Sequence, residues 1–418
     1  MASGHPQGDS PTAEALTSSR RVERLEHEGR VIAVSWADGY HGTFHSIWLR
    51  DNCPCSECAH PGTGQRLLDT ISIPGDIAPS SVTPAEDGSV EIVWTHGGHI
   101  SRYAPDWLRA HSYSGAGLGD RDAPLMLWGR EIMHDLPEAD YADVVSREET
   151  LRDWLAGVDR FGFAILHQVP IRPGEVTRVV DLFGYVRETN YGRLFDVRSV
   201  VNPNNLAFTG LPLGVHTDNP YRDPTPTLQL LHCLSTSASG GETILVDGFR
   251  VAEALRPSDS DKFDLLCRQA IPFRFQDEQT DLATEVPVIT LGPGGGVAAI
   301  HFNNRSKAPL VLDEDLIEPY YEAYRRFAIM LADPEFEICF GLEAGDLLIM
   351  DNLRVLHGRT GFSAAGERHL QGCYADRDGL RSRLAVLNRQ LIGMGAPSTE
   401  GRTTAPARPP ASPAPGPR

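Results

Sequence analysis

Gly214-Val215-His216-Thr217-Asp218-Asn219-Pro220 places an imidazole and a carboxylate two residues apart. On extended backbone, positions i and i+2 project from the same face, so the pair can grip one ion from a single strand. A second imidazole stands far downstream, at His357 in Val355-Leu356-His357-Gly358-Arg359. Two histidines and one carboxylate form the set that holds ferrous iron on one face and leaves the opposite positions open for chemistry. An H-x-D triplet alone is common in strands whose histidine is merely hydrogen-bonded, so the triplet carries little weight by itself. Its weight here comes from Arg368, eleven positions after His357 and with Gly358 and Gly361 just beyond that histidine. This is the spacing expected where neighbouring strands carry a metal ligand and a carboxylate clamp. The alternative for Arg368 is a surface ion pair, a common arrangement that contributes little.

The order H-x-D, distant His, then Arg resembles the iron(II) and 2-oxoglutarate dependent dioxygenases of the TauD-like superfamily. The closer resemblance is to their gamma-butyrobetaine dioxygenase group. It is carried by Asn204-Asn205-Leu206-Ala207-Phe208, His216-Thr217-Asp218, Leu230-Leu231-His232-Cys233, Gly240-Gly241-Glu242-Thr243, Val246-Asp247-Gly248-Phe249 and Phe302-Asn303-Asn304, and it runs from about Trp48 to about Arg383.

Bulk composition is compatible with that chemistry. A chain of 418 residues is long enough for two domains with a buried core. Acidic residues outnumber basic ones, 56 to 38, giving a net charge of −18 and a pI near 5.2, which disfavours nucleic acid or an anionic membrane as partner. A small molecule is the expected partner. No run of about 18 apolar residues occurs and the first residues lack an apolar signal core, so the expected compartment is the cytoplasm.

The patterning predicts a mainly β fold with flanking helices. Residues 1–20 and 395–418, rich in Pro, Ala, Gly and Ser, are expected to be disordered tails. Between residues 21 and 120, short alternating runs such as Val31–Val34, Thr43–Trp48, Ile71–Ile73 and Val90–Trp94, punctuated by Asp38-Gly39, predict a small β domain. A Gly-rich linker at Ser112–Asp122 leads into a second domain, 121–394. There Ser146-Arg147-Glu148-Glu149 reads as a capping box before a helix whose buried stripe is Leu151, Trp154, Leu155 and Val158. Strands are expected at Gly162–Leu166, Leu228–Cys233, Thr243–Val246, Asp346–Asp351 and His369–Tyr374, with helices at Val251–Ala270 and Asp313–Leu331. In the last of these, Tyr320, Tyr324, Phe327 and Leu331 recur at helical spacing as core. Irregularly spaced strands with a few outer helices suggest a double-stranded β-helix, or jelly roll, whose mouth accommodates a small ligand.

Seven cysteines are present, and Cys53-Pro54-Cys55-Ser56-Glu57-Cys58 crowds three of them into one polar loop. In a reducing compartment that pattern reads as metal ligation, the alternative being three reduced core cysteines. The family resemblance implies His99 as the fourth ligand of a structural zinc, with His60 and His96 as rivals. Three thiolates and one imidazole make a closed tetrahedral set with no catalytic opening.

The resemblance also implies roles for the catalytic domain. His216, Asp218 and His357 would hold iron, Arg368 would fork onto the distal carboxylate of 2-oxoglutarate, and Thr243 would add a hydroxyl to it. Tyr191, Phe195, Phe208 and Tyr374 match an aromatic box around a trimethylammonium head, the alternative being ordinary core aromatics. Asn205 and Asn303 match residues that hold the substrate carboxylate, and Asn219 replaces a bulky aromatic, widening the pocket. The expected activity is hydroxylation of gamma-butyrobetaine to carnitine with dioxygen, by a homodimer. Alternatives are a related quaternary ammonium substrate, trimethyllysine or a trimethylammonio phosphonate, or a non-catalytic betaine-binding relative.

Overall fold

The computed structural model describes residues 21–113, 125–198, 211–237, 239–362 and 368–393. Both tails, most of the Gly-rich stretch, and Asn205 and Phe208 among the expected site residues lie outside the described residues. The chain divides into two compact units, Met1–Ala123 and Pro124–Arg418.

The first unit contains two three-stranded antiparallel sheets, β1 (Val22–Glu28), β2 (Val31–Trp36) and β3 (His41–His45), then β4 (Pro79–Pro84), β5 (Val90–Trp94) and β6 (Ile100–Tyr103). Period-two patterning decides which side chains are buried. Ile32, Val34 and Trp36 of β2 and Val90, Ile92 and Trp94 of β5 point into one core, joined by Phe44, Leu49, Tyr103 and Leu108. The expected strand at Ile71–Ile73 is instead a 3-10 turn, Thr70–Ser72. The Asp69 carboxylate accepts the Ile71 amide at 3.2 Å, capturing a donor that a strand ladder would need, and leaves Ile71 exposed.

In the second unit the main sheet has the order β10 (Phe195–Val197), β21 (Arg368–Ala375), β12 (Leu228–Thr236), β19 (Leu347–Asp351), β8 (Phe163–His167), β7 (Glu138–Asp140), and β9 (Val186–Arg187) also pairs with β21. A smaller sheet has the order β11 (Leu213–His216), β20 (Val355–Arg359), β13 (Thr243–Asp247), β18 (Glu337–Phe340), and two hairpins, β14 (Ala270–Gln276) with β15 (Asp281–Pro287) and β16 (Ile289–Leu291) with β17 (Val297–Ile300), stand apart from both sheets. Side-chain alternation builds the sandwich. On β19, Leu348 and Met350 face Leu245, Ile338 and Val355 of the smaller sheet, while Leu347 and Ile349 face the helical layer that includes Trp154 and Leu155. The smaller sheet turns Val246 and Leu356 outward onto a third core containing Tyr320, Tyr324 and Phe327 of helix Glu314–Leu331. This is the jelly roll that the patterning predicts.

Two local expectations differ. Ser146 does not cap the helix Glu148–Phe161, because its hydroxyl donates back to the Ala142 carbonyl at 2.7 Å and closes the preceding helix Tyr141–Ser146; Arg147 is the boundary residue. The stripe of Leu151, Trp154, Leu155 and Val158 is nevertheless buried as expected. The helix expected over Val251–Ala270 is two, Gly248–Ser258 and Ser260–Arg268, with Pro257 in the last turn of the first and Asp259 at the break.

Between the sheets and the third core lies a fully buried ion pair. The Arg354 guanidinium donates to both Asp247 oxygens at 3.1 and 2.8 Å and to the carbonyls of Arg160 and Met126 at 2.9 and 2.6 Å. Asp247 in turn accepts the amides of Trp128 and Phe249. Both charges are therefore compensated, but neither survives loss of the other. Asp247→Leu should destabilise this unit by about 3–5 kcal/mol, seen as a lower urea midpoint, and adding Arg354→Met should recover much of the loss. An unchanged midpoint in the single variant would contradict this account.

Candidate metal and ligand site

Strands β11 and β20 run antiparallel with His216 directly opposite His357. This register brings residues 141 positions apart into ring contact, with centroids 4.3 Å apart. Asp218 follows on the turn out of β11, and its two oxygens lie 3.4 Å from His216 Nε2 and 3.9 Å from His357 Nε2. One donor atom from each residue lies within 4.8 Å of the others. Cis donors on a six-coordinate ion with bonds of about 2.1 Å sit about 3 Å apart, so small side-chain shifts close this triad on a divalent metal.

Neighbouring groups fix the protonation the triad requires. His216 Nδ1 lies 2.9 Å from the Gly214 carbonyl, which turns Nε2 toward Asp218. Burial, with the neighbouring His216 charge, pushes His357 down to about 3, so its ring is neutral. Burial alone would raise the Asp218 pKa, but the His216 hydrogen bond, the two imidazoles and the Tyr374 hydroxyl hold this carboxyl well below the usual carboxylate range. Gln229 and Tyr374 donate to its Oδ2 at 2.8 and 2.9 Å. Asn352, fully buried, grips the Asp218 backbone from both sides, accepting its N–H at 2.7 Å and donating to its carbonyl at 2.9 Å.

A cavity of about 600 Å³ opens onto this triad. At one end Thr243 and Arg359 are cross-strand partners, and the Arg368 stem packs where Gly241 has no side chain: a Cβ there would lie 2.9 Å from Arg368 Cδ. Burial lowers the pKa of Arg368 and, with Arg368 and Arg305 nearby, brings Arg359 down to about 10, so both remain charged in a partly dehydrated site. Along another wall, the ring centroids of Tyr191 and Phe195 are 6.3 Å apart, and those of Phe195 and Tyr374 5.1 Å. Phe195 can lie there because Gly372 leaves space, a Cβ at that position falling 2.5 Å from the Phe195 ring. Asn303 and Asn219 also line the cavity. The Asn303 carboxamide is engaged at both ends, by the Thr217 carbonyl and the Arg305 amide, each at 3.0 Å.

Several site residues escaped the sequence reading. Tyr221 and Phe275 extend the ring wall, with Tyr221 OH 2.9 Å from Tyr191 OH and the Tyr221 and Phe275 centroids 5.3 Å apart. Arg305 joins the cavity from the loop after Phe302. Arg359 was legible in principle, since it stands two positions after His357 on one strand and so shares its face. Gln229 and Asn352 carried no signal, because their role depends on the neighbouring strands they touch.

In the first unit, Cys53, Cys55 and Cys58 Sγ lie 3.3, 3.6 and 3.5 Å from His99 Nε2. A tetrahedral zinc with Zn–S of about 2.3 Å and Zn–N of about 2.0–2.1 Å places S and N about 3.6 Å apart, so the donor set fits that ion. Burial raises Cys53 to about 11; burial would also raise Cys55, yet the Glu57 amide and the adjoining thiols bring it down. The rival histidines are engaged elsewhere, His60 by the amides of Gly62 and Thr63 and His96 by Asp76 at 3.0 Å.

Residues 121–374 match the family model described as taurine catabolism dioxygenase TauD, TfdA family, and residues 23–109 match one described as gamma-butyrobetaine hydroxylase-like, N-terminal. The chain belongs to the TauD/TfdA dioxygenase family. Within it, the chain is 42% identical over 360 residues to gamma-butyrobetaine dioxygenase from Pseudomonas sp. (strain AK-1), covering 86% of this chain and 94% of that one. Trimethyllysine dioxygenase from Meyerozyma guilliermondii is 33% identical over 386 residues, covering 88% and 96%. Human gamma-butyrobetaine dioxygenase is 30% identical over 389 residues, covering 89% and 98%. For a TauD/TfdA dioxygenase the His216, Asp218, His357 triad has the donor chemistry of a ferrous site. Asn352→Ala should then weaken Mn(II) binding, titrated as an iron surrogate, by roughly 10- to 100-fold, because it releases the backbone that aims Asp218. Unchanged affinity would mean that Asn352 does not orient the ligand.

Proposed function

We propose that this dioxygenase hydroxylates gamma-butyrobetaine to carnitine, using ferrous iron, 2-oxoglutarate and dioxygen. The observation that carries the reading is one cavity with the three-donor triad beside a wall of aromatic rings. The 42% identity to a gamma-butyrobetaine dioxygenase supports the same substrate. In this reading His216, Asp218 and His357 hold the iron, and Arg368 with Thr243 takes the distal carboxylate of 2-oxoglutarate. When bound, iron and 2-oxoglutarate supply the dioxygen-dependent oxidation that releases succinate and carbon dioxide and hydroxylates a substrate C–H bond.

The chain's own part is positioning. Gln229, Tyr374 and Asn352 hold Asp218 in one orientation, so it would meet a metal with its carboxylate already aimed. Arg368 fixes the plane of a carboxylate through parallel charge-assisted bonds. Tyr191, Phe195 and Tyr374, with Phe208 as the fourth member of the box, present π faces to a quaternary ammonium group, which has no proton to donate. Asn205 and Asn303 belong to the opposite end of the substrate. The second reading is trimethyllysine, favoured by trimethyllysine dioxygenase relatives at 33% and 31% identity. The family resemblance further implies a homodimer.

The test is succinate release, with iron and 2-oxoglutarate, over a panel of betaines. Gamma-butyrobetaine should be the best substrate, Asp218→Ala should abolish turnover, and the neutral tert-butyl isostere of the cation should bind roughly 5- to 150-fold more weakly. Faster turnover of trimethyllysine would move the assignment to the second reading, and failure of every betaine would end it.

We also propose that Cys53, Cys55, Cys58 and His99 hold a structural zinc. Elemental analysis should find about one zinc per chain and much less in Cys55→Ser. Equal zinc in both proteins would remove this assignment.

A further inference from the structure

Four arginines line the cavity, and three have evident work. Arg274 is paired with Asp281 at 2.8 and 2.5 Å. Arg359 and Arg368 lie toward Thr243, where the distal carboxylate of 2-oxoglutarate is assigned. Arg305 is different: its guanidinium has no hydrogen-bond or ion-pair partner among the described residues, although its loop is held on every side.

The Arg305 amide donates to Asn303 Oδ1, the Tyr324 hydroxyl donates to Asn304 Oδ1 at 2.8 Å, and the Ser306 carbonyl accepts the Arg274 amide at 2.8 Å. Lys307 Nζ lies 4.1 Å from the Tyr324 ring centre. A backbone fixed this firmly leaves only the arginine's own side-chain rotamers to be ordered when a ligand binds. Nearby, Asn219 is 3% exposed and adopts a left-handed φ of 54°, a conformation asparagine tolerates better than most residues. Its Oδ1 accepts the Tyr221 hydroxyl at 2.6 Å, whereas its Nδ2 has no partner among the described residues. A buried donor without an acceptor is costly, and here it stands on the wall of a ligand cavity.

We infer that Arg305, assisted by the Asn219 amide, binds the carboxylate of the betaine substrate and thereby selects zwitterions over simple quaternary ammonium cations. The inference rests on the proposed function and deepens it. Burial lowers the Arg305 pKa, while Asp218, Tyr191, Tyr221 and Tyr374 act to raise it, and Arg359 is also within its reach. Without an anion beside it, Arg305 would repel the trimethylammonium group that these rings are to receive. A substrate carrying its own carboxylate removes that repulsion as it binds. Asn303, assigned above to the same end of the substrate, also accepts the Arg305 amide and so sets the Arg305 backbone.

The experiment compares gamma-butyrobetaine with the primary alcohol that keeps the cation and lacks the carboxylate, using wild-type, Arg305→Met and Arg305→Lys full-length protein and reading substrate-dependent succinate release. The wild type should favour the carboxylate. Arg305→Met should raise KM for gamma-butyrobetaine roughly 10- to 150-fold with a smaller change in kcat, and should treat the two compounds nearly alike. Arg305→Lys, which keeps the charge but not the fork, should recover part of the preference, an outcome that a merely structural role would not give. Wild-type turnover of gamma-butyrobetaine together with unchanged KM and unchanged preference in Arg305→Met would overturn the inference and leave the proposed function standing. A wild type that turns over neither compound would overturn both.

Discussion

Two imidazoles facing each other across an antiparallel strand pair, with a carboxylate against both, are the constraint around which the second unit is arranged. His216 and His357 approach to 4.3 Å between ring centres in a buried setting. Such an arrangement is tolerable only if at least one ring is neutral, which burial of His357 ensures. Two imidazole nitrogens and a carboxylate oxygen gathered within 4.8 Å of one another offer three donors and a single negative charge. That is the electrostatic and geometric requirement of a divalent metal with open positions.

Everything that keeps those donors in place is sheet packing. β20 is held on one side by β11 and on the other by β13, so His357 cannot slip by one residue without turning its imidazole to the opposite face. Asp218 lies beyond the end of β11, where no ladder holds it, and is fixed by side chains instead, by Asn352 on its backbone and by Gln229 and Tyr374 on its carboxylate. The donors of this second layer come from β12, β21 and the turn after β19, all in the main sheet or at its edge. The Asp218 carboxylate therefore depends on the main sheet, while the histidines belong to the smaller one. Chemistry and fold stability meet where the two sheets face each other.

The same economy appears in the ligand cavity. Tyr374 offers a ring to the cavity and a hydroxyl to Asp218, so cavity wall and triad carboxylate are coupled through one side chain. Gly241 and Gly372 supply absence of bulk where Arg368 and Phe195 must lie close against backbone. No helix among the described residues is long and apolar enough to cross a membrane.

The sequence by itself determined the periodic features. Alternation gave β2, β5 and the core strands, helical spacing gave Tyr320, Tyr324, Phe327 and Leu331, and donor chemistry with fixed short spacing marked His216 and Asp218 and the Cys53, Cys55, Cys58 cluster. These are local signals, since a strand's period or a two-residue offset is set by backbone geometry alone. Competition among local hydrogen bonds defeated it at Ile71, where the Asp69 carboxylate takes the amide, and at Ser146, whose hydroxyl turns back to Ala142. Only the tertiary structure could decide the rest. The partnership of Asn352 with Asp218, the extension of the ring wall by Tyr221 and Phe275, and the Arg305 guanidinium, unpartnered among the described residues, each depend on residues distant in sequence. Strand register and loop closure bring them together, and neither can be read from the identity of the residues that meet.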